Sequence, residues 1–198
     1  MLTLRKPSPA TIRRFLAEQA RLDFSYHVIG ATAGAPAVGF TRDHTRVQLG
    51  AGAATFIAGT AALQRWQQFR LGWVEAGPAD TPIRVGEVVA VVARVGPLWT
   101  LNSCRIVSVI DDSGDESGDA VDRFGFAYGT LPGHVEMGEE RFLIEWNRTD
   151  DTVWYDILAY SRPRHPLVRL GYPLARLMQK RFARDSVAAM QADVAEGA

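Results

Sequence analysis

The sequence predicts an α+β fold: two N-terminal helical segments, then a run of antiparallel strands, then one long closing helix. Three observations carry that reading. Residues 87–162 alternate their side chains with a period of two between turn-forming residues, as half-buried strands do. Residues 53–70 and 166–195 instead repeat apolar side chains at helical spacing. The strands follow one another without intervening helices, which excludes a parallel, doubly wound sheet.

Each element has its own signal. Ser8-Pro9 reads as an N-cap and first helical residue, with Ile12, Phe15 and Leu16 on one face of a helix ending near Ala20. Residues 23–46 are mixed, with Gly30, Gly34, Pro36 and Gly39 marking loops. A second helix over 53–70 is expected to bury Phe56, Ile57, Leu63 and Trp66, and a polar, proline-containing connection follows over 77–86. Strands are then expected at 87–95 and 98–110, joined by a Gly96-Pro97 turn. In the second of them Trp99, Leu101, Ser103, Arg105 and Val107 oppose Thr100, Asn102, Cys104 and Ile106. After an acidic Gly/Ser loop over 111–122, further strands are predicted near 123–131, 138–147 and 153–162.

The strand at 123–131 is the most informative stretch. Phe124, Phe126, Tyr128 and Thr130 point one way, and Gly125, Ala127 and Gly129 point the other. A strand with one bulky and one nearly bare face is built for close approach or for a cavity. The pattern leaves open which face meets the closing helix. That helix, roughly 24 residues and about 36 Å long, is expected to turn Leu167, Gly171, Leu174, Met178 and Phe182 inward. Arg169, Arg176, Lys180 and Arg184 form an outward basic stripe, and Pro173 is expected to start or kink the helix.

The 198 residues suit one domain over 1–198, with 1–46 as an N-terminal elaboration and 47–195 as the core. Lys+Arg and Asp+Glu both number 22, so no global field recruits nucleic acid or membrane. The uncharged run 47–64 is dominated by Ala, Gly and Thr and is too weakly apolar for an integral membrane segment. No apolar signal region follows the N-terminal basic residues. With the single cysteine, Cys104, expected to be buried and inert, this points to a cytoplasmic protein.

The segments RVGPLWTLNSCRIV, RFGFAYGTLPGHVEMGEERF, VWYDILAYSRPRHPLVRLGYP and QKRFARDSVAAM carry a resemblance. In them the chain, over roughly 40–190, resembles the DUF1990 (UPF0548) family of bacterial and plant proteins, most distinctively at FGFAYGTLPGH. That family is placed with the helix-grip proteins, the Bet v 1 and START-type domains. The resemblance implies a curved antiparallel sheet gripping a long C-terminal helix, often with a ligand cavity between them. It implies no known reaction.

A small hydrophobic or amphipathic ligand in that cavity is the expected partner, without a cofactor. Trp99, Asn102, Tyr128, Thr130, His134, Trp154, Tyr160 and Arg162 are the candidate ligand-binding residues, because aromatic walls with a few polar groups make such pockets. His134 is the best catalytic candidate, as an acid–base partner of Glu136 or Glu139. The plainer reading of 130–140 is a Pro-Gly turn with a solvated acidic flank. A third reading makes the basic stripe of the closing helix a docking surface. Arg162, Arg164 and His165 are placed to hold an anion at the cavity mouth, and Asp156 to pair with an arginine. No metal site is expected, since the acidic loop lacks EF-hand order. Gly50 to Thr55 imitates a dinucleotide fingerprint but lacks its third glycine, and reads as the small-residue start of a helix.

Overall fold

The computed structural model describes residues 1–34, 38–114, 120–164 and 172–197. The expected start of the closing helix at 166, together with His165, Leu167, Arg169 and Gly171, lies outside the described residues. Residues 115–119 of the acidic loop do as well.

Strand β1 (Leu2–Thr3) precedes helix α1 (Pro9–Gln19). Ser8 caps α1 by accepting the Thr11 N–H at 3.2 Å, and Pro9 supplies a backbone angle already suited to the first turn. Strand β2 (Thr41–Ala51) runs directly into α2 (Gly52–Gln64). A short 3-10 turn (Gln67–Phe69) leads to β3 (Val74–Gly77), β4 (Val88–Val95) and β5 (Leu98–Asp112). Strands β6 (Val121–Thr130), β7 (Glu136–Asn147) and β8 (Thr152–Pro163) follow, and α3 (Tyr172–Gly197) closes the chain.

All pairings are antiparallel, in the order β2-β8-β7-β6-β5-β4-β3, with β1 added to β5. The two register shifts, between Gln48 and Gly50 in β2 and between Ile106 and Ser108 in β5, fall in long strands where bulges add curvature. The sheet folds over α2, the 3-10 turn and α3. This is the helix-grip arrangement.

The bulky face of β6 is the inner one. Phe126 packs edge-on to Trp66 with ring centroids 5.0 Å apart, and lies 5.4 Å from Phe142. Phe69 reaches Phe142 at 5.5 Å and Phe182 of α3 at 5.1 Å. Each such pair contributes about 0.5–1.5 kcal/mol beyond its area burial, so this aromatic block ties sheet, turn and helix into one core. The outer face carries a smaller cluster in which Ile12 and Leu16 of α1 cover Ala90, Val92 and Leu101.

Several sequence expectations are corrected. Residues 41–46, the end of a stretch read only as mixed, form the first half of β2, and Val74–Gly77 is a strand that the sequence reading placed partly in a connection. The helix expected over 53–70 stops at Gln64, because Trp66 takes a left-handed backbone conformation that no α-helix accommodates. Ile57, expected in the core, is 66% exposed. In α3 the Leu174-Met178-Phe182 line continues at the same spacing through Ser186, Met190 and Val194, which are buried. Leu174 is 51% exposed, and Arg176 turns toward the sheet to pair with Asp43.

Candidate functional site

Between the inner face of the sheet and α3 lies a cavity of about 780 Å³. Strands β4 and β5 supply Val91, Ala93, Thr100 and Asn102, and β8 supplies Ile157 and Ala159. Phe69 and Trp73 close one side, and Met178 and Phe182 of α3 close the other. The wall is therefore mostly apolar, and its polar groups gather where β6, β7 and the 131–135 turn meet.

Most of those polar groups are committed to one another. The Asn102 side chain donates to the Val91 carbonyl at 3.2 Å and accepts the Val135 N–H at 3.3 Å. Thr130 shares a hydrogen bond with Ser25 at 2.6 Å and accepts the Gly138 N–H at 2.9 Å. Both line the cavity, yet their hydrogen bonds hold the turn that follows β6.

His134 sits in that turn, and its Nδ1 accepts the Glu136 backbone N–H at 3.0 Å. The ring proton of the neutral imidazole is therefore on Nε2. Burial pushes its pKa down to about 4, so the ring is neutral near pH 7. The expected acid–base pair is not formed. The Glu136 carboxylate is instead engaged by Gln179 of α3 at 2.9 and 3.0 Å. Glu139, one residue out of phase with the inner face, points to the opposite side of the sheet. There it accepts from the Tyr26 hydroxyl, the Gly30 N–H and both donors of Thr32.

The carboxyl that does face the cavity floor belongs to Glu140. Tyr128, its cross-strand partner, donates its phenolic hydroxyl to Glu140 Oε2 at 2.7 Å. Burial raises the Glu140 pKa to about 7, with Glu136 and Asp43 adding to the rise and the Tyr128 hydrogen bond opposing it. Burial also raises Glu136, against the pull of Gln179 and Arg176. Tyr128 itself is raised well above its ordinary value by burial and by Glu140. Cys104 is fully buried, and burial pushes its thiol well up, as its expected inertness requires. Among the described residues no group of three or more His, Cys, Asp or Glu side chains is arranged to hold a metal ion.

Of the candidate ligand-binding residues, the fold brings Asn102, Tyr128, Thr130 and His134 to the cavity. Tyr160 borders it, but its side chain packs with Ala31 and Leu158 on the outer face. Three are placed elsewhere by strand alternation. Trp99 packs with the α1 cluster on the outer face, with Lys6 5.8 Å from its ring centroid. Trp154 lies under the Arg46 guanidinium at 5.0 Å, and Arg162 covers Phe40 at 4.8 Å. Arg164 donates to the Pro132 carbonyl. Asp156 pairs with Arg141 at 2.9 Å and His44 at 2.6 Å, also on the outer face.

The parity of β7 was the signal for Glu140. It shares a face with Phe142 and Ile144, both core residues, so a strand starting at Glu136 must turn this carboxyl inward. Gln179 had no comparable signal, because its partner is remote in sequence.

Residues 25–189 match the family model described as a domain of unknown function (DUF1990). The chain belongs to the DUF1990 family. A UPF0548 protein of Dictyostelium discoideum is 36% identical over 202 residues, spanning 94% of this chain and 92% of its own. The UPF0548 protein At2g17695 of Arabidopsis thaliana is 38% identical over 148 residues, spanning 75% of this chain and 70% of its own. Among solved structures, a hypothetical protein from Helicobacter pylori has a similar fold, with a TM-score of 0.50 at 10% identity. That alignment covers 89% of this chain and 96% of the other. Human STARD10 aligns over 92% of this chain and 81% of its own, with a TM-score of 0.43 at 13% identity. Among the described residues of this DUF1990 protein, no helix is long and apolar enough to cross a membrane.

Proposed function

We propose that this DUF1990 domain binds a small hydrophobic or amphipathic ligand in the cavity between its sheet and α3. The observation that supports the reading is the cavity itself. At about 780 Å³ it falls within the range of small-molecule sites, and its wall is apolar apart from one polar end. A core built only for stability is packed to crystal-like density, and a void of this size forfeits dispersion contacts along its whole lining. An apolar ligand restores those contacts.

Nile red, a neutral apolar dye whose emission brightens in apolar surroundings, tests the reading. Saturable binding at one site per chain, reduced by replacing Ala159 with Trp to fill the wall, is the expected result. No saturable binding by Nile red or by long-chain alcohols would overturn it.

A further inference from the structure

The polar end of the cavity bears on what kind of ligand fits, an inference that rests on the ligand-binding reading above. Charge is unevenly distributed around this space. The groups that face Glu140 across the cavity floor are Tyr128 from β6, Cys104 from β5, Tyr155 from β8, Asp43 from β2 and Glu136 on its own strand. None of these is a cation. Asp43 is bound by Arg176 at 2.6 Å, and Tyr155 is engaged by Ser186 at 2.9 Å. Among the described residues no salt bridge reaches Glu140. The other cations along the cavity, Lys180 and Arg184 of α3, are exposed at its rim.

A carboxyl in an apolar cavity with one phenol as its donor has unused acceptor capacity, since a carboxylate takes about four hydrogen bonds. Its ionised form is costly there unless a positive charge joins it. An anionic head pushed to the same floor would meet Glu140 and Glu136 together, and like charges at close quarters are rejected. A protonated nitrogen meets both carboxyls favourably and supplies the missing donors.

We propose that the ligand has an apolar body and a protonated nitrogen head, and that Glu140, with Glu136 beside it, is the group that receives this head. Tyr128 holds the Glu140 carboxyl in place from the neighbouring strand. The apolar body then lies along Ile157, Ala159, Met178 and Phe182.

Displacement of Nile red by dodecylamine, dodecanol and dodecanoate separates this inference from the one it rests on. At pH 8, dodecylamine is expected to displace the dye at least about tenfold more effectively than the other two, in line with the worth of a desolvated charge pair. Glu140→Gln, which keeps shape and the oxygen that accepts from Tyr128, should abolish that preference while Nile red and dodecanol still bind. The wild-type protein gives a second readout that needs no variant. Dodecylamine stays protonated between pH 6 and pH 8, as an alkyl ammonium does, and His134 stays neutral there. Its affinity should therefore rise about tenfold over that range as Glu140 ionises, while that of dodecanol stays constant. Dye binding without amine preference, or with preference for dodecanoate, overturns the inference and leaves the cavity reading standing. Absence of binding by the dye and all three competitors overturns both.

Discussion

A β-carbon built on Gly129 would lie 2.1 Å from the hydroxyl oxygen of Tyr26. The bare face of β6 is thus covered by the N-terminal loop, whose Tyr26 is 3% exposed, and the bulky face is left to form the core and cavity wall. The alternation that made this strand conspicuous is a device for two close approaches, one on each side of the sheet. It also makes residues 23–34 part of the platform beneath the site, because Ser25 and Tyr26 reach Thr130 and Glu139.

Gly129→Ala is therefore expected to destabilise the fold by about 1–3 kcal/mol, the usual cost of overpacking. Tyr26 has no room to retreat without giving up its 2.8 Å hydrogen bond to Glu139. Urea denaturation measures the cost. Adding Tyr26→Phe to Gly129→Ala should recover part of it, since the closest clash, at the hydroxyl, is removed while the ring carbons at 2.8 Å remain.

Glu139 makes a second prediction. It is buried and accepts four hydrogen bonds from Tyr26, Gly30 and Thr32, so Glu139→Ala leaves several donors unpaired. A loss of at least about 2 kcal/mol is expected. Hydrogen exchange at Gly30 and Thr32 should accelerate in the variant. Unchanged exchange would mean that the loop is held by other contacts.

Much of this architecture was legible from local pattern, and the failures have physical causes. Strands β4 to β8 were visible because turn residues bound them and their parity is clean. Strand β2 was hidden because its inward positions begin with Asp43 and Thr45, which face the polar end rather than an apolar core. In α3 the apolar line was legible, but Ser186 and Gln179, polar side chains satisfied by Tyr155 and Glu136, and Arg176, paired with Asp43, also turn toward the sheet. A hydrophobic wheel reads such positions as solvated. Trp99 misled for the opposite reason: α1 covers the outer face of β5, so an aromatic there is partly buried without touching the cavity. The Tyr128–Glu140 pair required knowing the β6–β7 register, which no single strand reveals.

The two faces of α3 give a third prediction. Met190 is fully buried in the main core, whereas Leu177 is 62% exposed. Met190→Ala should cost about 2–5 kcal/mol, and Leu177→Ala should fall within about 0.5 kcal/mol of wild type. Equal costs in thermal or urea unfolding would contradict the assignment of the helix faces.

Glu140 and His134, both at the polar end of the cavity, have opposite effects on stability. Glu140 ordinarily ionises near 4.5 and in the folded protein near 7, so between those values the folded state binds more protons than the unfolded one. Its contribution to stability therefore falls as pH rises from about 4.5 to 7, by up to roughly 3 kcal/mol. His134 runs the other way. Its ordinary value is 6.5 and its folded value about 4, so the unfolded chain takes up the proton first. Its contribution is full above 6.5 and is lost as pH falls toward 4. Glu140→Gln should accordingly gain stability over wild type progressively between pH 4.5 and 7 and hold that gain above. His134→Asn, with an oxygen near the position from which Nδ1 accepts the Glu136 N–H, should gain relative to wild type only below pH 6.5. Urea midpoints collected from pH 4.5 to 8 for the three proteins separate these curves. A Glu140→Gln difference that is flat across this range would show that the carboxyl is solvated rather than buried at the cavity floor.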